Sequence, residues 1–269
     1  YLFTGSASGL VGSINAELSS HLEIEADDTG DYFGYPGTVG HGDFNGDGYS
    51  DVGFGEYGND DNGSTYGMGY VYYGPLSGDT DTASADTTLN TSTSTSAGAF
   101  GYGVAGIGDF NDDGYDELAV GAYYEASYAG RTYIYFGNSS GWASSVDHDT
   151  ADLTVTGVTA SDYFARPVGL GDLDGDGVDD FAIGGTGDDN GGTSSGSMAV
   201  LYGVSGATGG SYPILAADAL VTGSGTYEYV GYDAAAADMT GDGYNELIVG
   251  SYGSSSYAGQ VSVFVGSGY

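Results

Sequence analysis

The most regular feature of the sequence is a short apolar run that ends in a glycine and recurs five times. The closing glycines of these runs are 69, 63, 66 and 63 residues apart. A fixed period of this size indicates a repeat architecture, and short runs rich in Tyr, Val and Phe between polar, glycine-rich clusters predict strands. The five runs lie at 1–5, 71–74, 133–137, 200–203 and 263–266.

Each period contains three further segments, so that one period predicts four short strands, which we name A to D. Strand C is the recurring apolar run, and strand D is the weakly alternating run after it. Strand A is small and apolar and opens at an aromatic–glycine pair such as Phe33-Gly34 or Phe100-Gly101; strand B is apolar and ends in glycine. Four short antiparallel strands per period are typical of a propeller blade. Independent hairpins would be barely stable, and a solenoid usually has a shorter period.

We therefore predict an all-β fold, a β-propeller built from four-stranded antiparallel blades, with residues 1–269 as a single repeat domain. Residues 1–29 carry strands C and D of a preceding or shared blade. Blade 1 spans 30–92, blade 2 spans 98–158, blade 3 spans 161–224, and blade 4 spans 227–269 without its outer strand D. Whether the ring closes is left open.

The two ends of this arrangement complement each other. Strand C of blade 4, at 261–265, would expose an unpaired edge, which is a template for another strand. The N-terminal strand D, at 22–25, could fill that edge within one molecule and close a four-bladed ring, or between molecules and build a filament. The surplus strand C at 1–5 slightly favours the second alternative, and a fragment of a longer propeller is a third. We expect residues 1–26 to complete a blade.

An acidic loop joins strands A and B in all four blades, and its first residues are spaced by 66, 63 and 66 positions. Carboxylates or amides stand at its first, third, fifth and ninth positions, with glycines between them, except that Thr240 holds the third position of the fourth loop. Hard oxygen ligands at that spacing, with a backbone carbonyl from the seventh position, suit Ca²⁺ better than Mg²⁺, which retains several waters. No Glu stands at the twelfth position and the flanks are not helical, so this is no EF-hand. The candidate ligands are Asp43, Asn45, Asp47, Tyr49 and Asp51; Asp109, Asn111, Asp113, Tyr115 and Glu117; Asp172, Asp174, Asp176, Val178 and Asp180; and Asp238, Thr240, Asp242, Tyr244 and Glu246.

The composition is strongly acidic, with 38 Asp and Glu against two Arg and no Lys, giving a net charge of −36. Such a chain has nothing to neutralise phosphate, which argues against nucleic acid or an anionic membrane as a partner. It has no cysteine, so disulfides and zinc–thiolate sites are excluded, and no apolar run long enough to cross a membrane. The chain begins with Tyr1 and carries no signal peptide, which we interpret as a processed product or a fragment.

The aromatic–glycine pair, the Asp-x-Asn-Gly-Asp-Gly-x-x-Asp loop at 43–51 and the apolar strand after it resemble FG-GAP repeats. These repeats form the blades of the integrin α-subunit propeller and of many secreted bacterial proteins. The resemblance runs from about Leu22 to Gly266 and implies a β-propeller with about four Ca²⁺ ions in the A–B loops. The departures are Ala165 after Phe164, Val230 in the fourth aromatic position, Thr240 in the fourth loop, and Glu117 and Glu246 as the last ligands of two copies. The familiar propeller has seven blades, whereas this chain supplies four.

Catalytic candidates are few. Of the three histidines only His41 stands near an acidic loop, and no pair of carboxylates stands apart from the calcium pattern. We expect a non-catalytic, secreted or cell-surface module with a structural or adhesive role, a protein or glycan partner, and self-assembly through its ends as an open alternative. The alternative interpretation of the function is a carbohydrate-binding or carbohydrate-active enzyme domain on the same propeller scaffold. Its candidate contacts are tyrosines in or beside the B–C loops, which stack on sugars or pack between blades: Tyr57, Tyr123, Tyr124, Tyr252 and Tyr257.

Overall fold

The computed structural model describes residues 22–26, 28–35, 37–61, 67–91 and 98–265. Within these ranges the chain is folded almost entirely into short strands joined by turns. No helix among the described residues is long and apolar enough to span a membrane. The predicted strand C at 1–5 lies outside the described residues.

The strands are numbered in chain order over the described residues. They are β1 (Ile24–Glu25), β2 (Val39–Gly42), β3 (Asp51–Glu56), β4 (Met68–Tyr72), β5 (Thr80–Asp81), β6 (Thr87–Asn90), β7 (Phe100–Gly106), β8 (Leu118–Ala122), β9 (Arg131–Tyr135), β10 (Ser145–Asp147), β11 (Leu153–Thr156), β12 (Phe164–Gly171), β13 (Asp180–Gly185), β14 (Ser197–Leu201), β15 (Gly210–Pro213), β16 (Ala219–Thr222), β17 (Val230–Ala237), β18 (Glu246–Ser251) and β19 (Gln260–Phe264). Two four-residue helices, α1 (Glu125–Tyr128) and α2 (Ser254–Tyr257), follow strands β8 and β18, and 3₁₀ turns lie at Thr82–Ser84, His148–Thr150 and Ile214–Ala216.

The strands form four antiparallel sheets in the predicted order A, B, C, D. Blade 1 is β2-β3-β4-β6, blade 2 is β7-β8-β9-β11, blade 3 is β12-β13-β14-β16, and blade 4 is β17-β18-β19. The all-β class and the antiparallel blades predicted from the sequence are confirmed. In the described residues, blade 4 has strands A to C only.

A fifth strand, which the sequence did not predict, links blade 1 to blade 2 and blade 2 to blade 3 in the described residues. It lies in the C–D connection of one blade and pairs in parallel with strand D of the blade before it. Thus β10 of blade 2 adds to β6 of blade 1, and β15 of blade 3 adds to β11 of blade 2. By the same rule β5 of blade 1 pairs with β1. Each of these added strands runs directly into a 3₁₀ turn whose first residue is buried: Thr82, His148 or Ile214.

The hydrophobic core consists of layers between successive blades. Alternation along strand B sends Leu118 and Val120 toward blade 1, where they pack with Phe44 and Leu89, and sends Ala119 toward blade 3. A third cluster, around Met198 and Leu247, fills the space between blades 3 and 4. Because each blade buries one face against each neighbour, its B strand is apolar at nearly every position, as expected for a strand covered on both faces.

The A strands lie side by side where neighbouring blades converge. A Cβ atom at Gly40 would lie 2.6 Å from the backbone nitrogen of Gly106, so only glycine fits this approach of β2 to β7. Strands β7, β12 and β17 each begin with a register shift. Just inside this irregular start, Arg166 of β12 lies over the rings of Tyr102 (4.9 Å) and Tyr232 (4.1 Å) and joins blades 2, 3 and 4.

The N-terminal strand takes a different partner from the one expected for a closed ring. Strand β1 pairs with β5, at Ile24 opposite Thr80, and in the described residues it does not pair with β19. Backbone hydrogen bonding from Thr80 to Glu23 (2.9 Å) also holds it beside blade 1. The ring closure within one molecule that the sequence left open is therefore not formed in the described part of the chain.

Candidate metal centres

The four acidic loops lie at the same end of their blades, between strands A and B. Each loop makes its tight turn through residues with positive φ, for example Gly46 (70°) and Gly48 (88°) in the first loop. In the second loop Asp112 adopts this conformation with a φ of 58°, which aspartate tolerates better than most residues. The backbone can thus curl so that alternate side chains point inward.

The first aspartate of each loop fixes this curl by accepting two backbone hydrogen bonds. Asp43 accepts them from the N–H groups of Asp47 (3.0 Å) and Gly48 (2.9 Å). Such bonds hold the carboxylate in one orientation. The second loop repeats this arrangement, with Asp109 accepting from Asp113 and Gly114. In the third and fourth loops the fourth residue donates in place of the fifth: Asp172 accepts from Gly175 and Gly177, and Asp238 from Gly241 and Gly243.

The fifth residue of each loop is held in the same way. Its carboxylate accepts from the N–H of the seventh residue in all four loops, at 2.9–3.1 Å. In the first loop Asn45 also accepts from the N–H of Asp47, at 2.9 Å. In these four bonds the aspartate accepts and the second residue of each pair donates: Asp47 and Tyr49, Asp113 and Tyr115, Asp176 and Val178, and Asp242 and Tyr244.

Two of the loops bring three carboxylates to one point. Ligand oxygens of Asp109, Asp113 and Glu117 lie within 4.8 Å of one another, and so do those of Asp172, Asp174 and Asp176. Carboxylates this close repel one another unless a cation lies among them. The carbonyl ligands predicted at the seventh position remain a prediction.

The ninth residue of each loop is completely buried, and in the first and third loops it also ties the loop to strand C. Asp51 accepts from the N–H of Phe44 inside its loop and from the N–H of Gly74 at the end of strand C, both at 2.8 Å. Asp180 makes the same two bonds in the third loop, and Glu117 and Glu246 accept from Phe110 and Met239. This second task of the ninth residue was not evident from the sequence, because strand C lies more than 20 positions away.

Burial makes the ionised ninth residue costly. It raises the pKa of Glu117 to about 8 and that of Asp180 to about 6, and nearby loop carboxylates add to both shifts. Backbone N–H groups act in the opposite direction but do not offset the burial. A cation in the loop would favour the charged form and reverse these shifts.

The donor set fits a hard divalent cation. The buried Oδ1 of Asn111 has no hydrogen-bond partner among the described residues, although its Nδ2 donates to Glu117 at 3.3 Å. Such an orphaned oxygen costs free energy unless a ligand or water meets it. Oxygen donors alone, with neither sulfur nor imidazole among them, are typical of Ca²⁺ sites.

The loops are also connected from blade to blade through their eighth residues. Asp116 of the second loop accepts from the N–H of Asp43 at 2.8 Å, and Asp179 of the third accepts from Asp109 at 3.0 Å. In the fourth loop Asn245 instead donates to the carbonyl of Leu170 at 3.0 Å. Sequence reasoning missed these residues, because their partners lie about 70 positions away and only the fold brings them together.

The tyrosines singled out beside the B–C loops lie at the opposite end of the blades. Tyr57 stacks on Tyr32 (4.9 Å between ring centroids), and Tyr123 stacks on Tyr163 (4.4 Å), so both serve in packing. The other three are largely exposed: Tyr124 at 48%, Tyr252 at 46% and Tyr257 at 68%. The end of the blades that carries the B–C loops therefore exposes tyrosine rings, with stacked tyrosines beneath them.

Two of the three histidines lie in the described part of the chain. His41 is exposed on β2, and His21 lies outside the described residues. His148 is completely buried, with its ring nitrogens 3.0 Å from Asp147 and 3.4 Å from Asp149. It packs against the rings of Phe100 and Tyr133, which belong to the core layer between blades 1 and 2.

Two comparisons with known proteins bear on these loops. The family model described as FG-GAP repeat matches residues 100–135 and 230–264, each a segment running from strand A through the acidic loop to strand C. A search of curated proteins found no match to the chain.

Proposed function

Because this chain contains FG-GAP repeats, we propose that it is a secreted, non-catalytic module whose propeller-type blades are stabilised by Ca²⁺ in the A–B loops. FG-GAP repeats point to a structural or adhesive role. The observation that carries the calcium proposal is the fourfold recurrence of one hydrogen-bonded loop, in which the first, fifth and ninth carboxylates hold equivalent positions.

Electrostatics explains why calcium would stabilise the fold. The loops concentrate acidic side chains in a chain with only two basic residues, so an empty loop leaves its carboxylates facing one another. An ion that binds only the native state adds RT ln(1 + [L]/Kd), about 2.7 kcal/mol per site at 100 Kd. Four filled sites would then contribute an amount comparable to the stability of a whole domain, about 5–15 kcal/mol.

Thermal melting in excess Ca²⁺ and in excess EDTA tests this proposal. We expect chelation to lower the melting temperature sharply. We expect Asp113→Asn to lose roughly the stabilisation that calcium provides at one of the four sites. Asp112→Asn is the matched control: it removes the same charge from the same loop, at an exposed position outside the ligand set. Identical melting curves with and without calcium would overturn the proposal, as would equal losses for the two variants.

The exposed tyrosines support a second role, as a contact surface for a glycan or a protein. Tyrosine supplies a large ring and a hydroxyl at low entropic cost, which suits sugar stacking and protein interfaces alike. This observation favours a carbohydrate-binding domain as the alternative function. A glycan array with the unaltered chain and with Tyr257→Ala, together with a turnover assay on acidic polysaccharides, separates the alternatives. Binding that the variant loses supports the sugar surface, whereas turnover would contradict the non-catalytic proposal.

A further inference from the structure

The single tryptophan of the chain fills the outer space between blades 1 and 2. Trp142 lies half-buried in the C–D connection of blade 2, and its ring packs on Phe44 of the first acidic loop, with 5.3 Å between ring centroids. It also contacts the rings of Tyr73 (6.5 Å) and Tyr135 (6.2 Å). Its ring N–H donates to the carbonyl of Phe136 at 2.8 Å. One indole thus joins the strand C ends of two blades to the acidic loop of the first.

The corresponding space between blades 2 and 3 holds a cavity. Trp142 and Thr208 stand at the same distance after the closing glycines of their C strands, Gly137 and Gly203, and the much smaller Thr208 lines the cavity. The four residues that contact the indole all have a counterpart that lines the cavity: Phe110 for Phe44, Phe136 for Tyr73, Leu201 for Tyr135, and Tyr202 for Phe136. The cavity therefore has the walls of the tryptophan site without a tryptophan.

The backbone beside the cavity repeats the backbone beside Trp142. The N–H of Phe136 donates to Asp152 and the N–H of Tyr202 donates to Asp218, both at 2.9 Å. The bonds two residues further on match as well: Asn138 to the carbonyl of Phe44 at 3.0 Å, and Val204 to the carbonyl of Phe110 at 3.1 Å. The carbonyl of Tyr202 thus corresponds to the carbonyl of Phe136, which accepts the indole N–H.

The size of the cavity suits one bicyclic aromatic ring. Its volume is about 190 Å³, whereas an apolar cavity of about 150 Å³ is enough to hold benzene. Among its lining residues Phe110 and Leu153 are buried, whereas Val204 and Tyr212 are 59% and 46% exposed. The cavity is therefore apolar on its buried side and open to solvent on the other, so that a ligand can enter.

Charge restricts the ligand further. Asp218 is the one charged residue among the described residues that line the cavity, and it is exposed. The whole chain carries a net charge of −36. An anionic ligand would meet repulsion both at the cavity and during its approach, whereas a neutral or cationic ligand would not.

We propose that this cavity binds a small indole-type ligand, a planar bicyclic aromatic molecule that carries a ring N–H and no negative charge. Its ring packs on Phe110 and Leu201, as Trp142 packs on their counterparts one blade earlier. Its N–H donates to the carbonyl of Tyr202. The inference goes beyond the structural role proposed above and does not rest on calcium binding.

Calorimetric titration of the unaltered chain with indole tests the proposal directly. We expect saturable binding of one indole per chain. 1-Methylindole has nearly the same shape but no N–H, and it should bind roughly five- to tenfold more weakly because the hydrogen bond is lost. Tryptamine should bind more tightly than indole-3-acetate, since only the latter is repelled. The absence of saturable binding overturns the proposal, and equal affinities for indole and 1-methylindole contradict its hydrogen bond and with it the ligand class.

Filling the cavity with a ring from the chain itself should abolish indole binding. Thr208→Trp supplies the residue that blade 2 has at this position. Ala207→Trp is a second filling variant, because the residue with positive φ is Gly141 in one turn and Gly206 in the other, so the two turns direct their side chains differently. Thr193→Trp is the matched control, which adds the same ring at an exposed position in the B–C loop of blade 3. Binding that survives in both filling variants, or that the control loses equally, overturns the proposal.

The reciprocal variant Trp142→Thr tests the correspondence between the two sites. Removing the ring should open a second cavity, between blades 1 and 2, and lower the melting temperature. A ligand that binds the folded state offsets such a loss, so indole should raise the melting temperature of Trp142→Thr more than that of the unaltered chain. Titration should then show two indoles per chain. An equal effect of indole on both proteins would contradict the argument from the repeat.

Discussion

The fourth position of the acidic loops illustrates how one residue depends on the neighbouring blade. It is Gly46, Asp112, Gly175 and Gly241 in the four loops. A Cβ at Gly46 or Gly175 would collide with the tyrosine ring at the seventh position of the following loop, Tyr115 or Tyr244. The third loop has Val178 there, which carries no ring, so the second loop accepts Asp112.

We therefore expect Gly175→Ala to destabilise the protein more than Gly241→Ala. Both glycines have positive φ, 84° and 76°, and both substitutions carry the backbone penalty of about 1–2 kcal/mol. Only Gly175→Ala also displaces a ring, because nothing lies within 4 Å of a Cβ at Gly241. Overpacking of this kind costs about 1–3 kcal/mol more. Urea unfolding of the two variants in excess calcium measures the difference, and equal losses would refute the packing argument.

A second prediction at the residue scale concerns pH. Burial and the adjacent Asp188 raise the pKa of Asp162 to about 6, above its ordinary value of 3.8. Between these values the folded state binds more protons than the unfolded state, so this group's contribution to stability falls as pH rises from about 4 to 6. We expect Asp162→Asn to be nearly neutral at pH 4 and to stabilise the fold by about 1–2 kcal/mol at pH 7.5. The gain is smaller than the full pKa shift implies, because solvent screens part of the unfavourable electrostatics.

The control for Asp162 is Glu25→Gln, which removes an exposed carboxylate at β1. Urea unfolding of both variants and the unaltered chain, at both pH values in excess calcium, isolates the effect of Asp162. A gain that is the same at the two pH values would contradict the burial argument.

At the scale of the element, the four loops differ in the charge of their ligands. The third loop offers four carboxylates, whereas the fourth has Thr240 in place of one. Because calcium affinity rises with ligand charge, the third site should fill first and the fourth last. Calorimetric titration should show that Asp176→Ala removes the tightest step and Asp242→Ala the weakest. A larger loss of the tightest step in Asp242→Ala would reverse the ranking.

The blade strands could be predicted from the sequence because their signals are local. Strands A to C are apolar runs bounded by glycine, and the loop between A and B has a fixed spacing. The added strands gave no such signal: β5 is only Thr80–Asp81, and it exists because the preceding strand D lies beside it. The hydrogen bonds that Asp116 and Asp179 accept from the preceding loops could not be predicted either, because only the fold brings the partners together. Tyr57 and Tyr123 could not be distinguished from Tyr124 by sequence, since only the fold decides which rings are covered.

At the scale of the whole molecule, a net charge of −36 should make stability depend on salt even without calcium. The Debye length falls from about 10 Å at 0.1 M to about 3 Å at 1 M, so salt screens most of the repulsion between surface carboxylates. In EDTA we expect the melting temperature to rise by roughly 5–10 °C between 0.05 and 1 M NaCl. The rise should be smaller in excess calcium.

Choline chloride at the same ionic strength serves as the control for specific binding of sodium. A similar rise with both salts indicates screening, and no rise with either would contradict the self-repulsion argument.

The parallel strands that cross from blade to blade also impose an order on synthesis. Ser145, at the start of the strand that covers β6, lies 55 positions after Asn90 at the end of β6. A chain growing from the ribosome therefore completes the outer edges of blades 1 and 2 only after most of the following blade has emerged. Each acidic loop, by contrast, is complete within nine consecutive residues. If the loops bind calcium as we propose, the ion would order a loop before its blade is finished, and would so protect a nascent chain whose unpaired edges otherwise attract other strands.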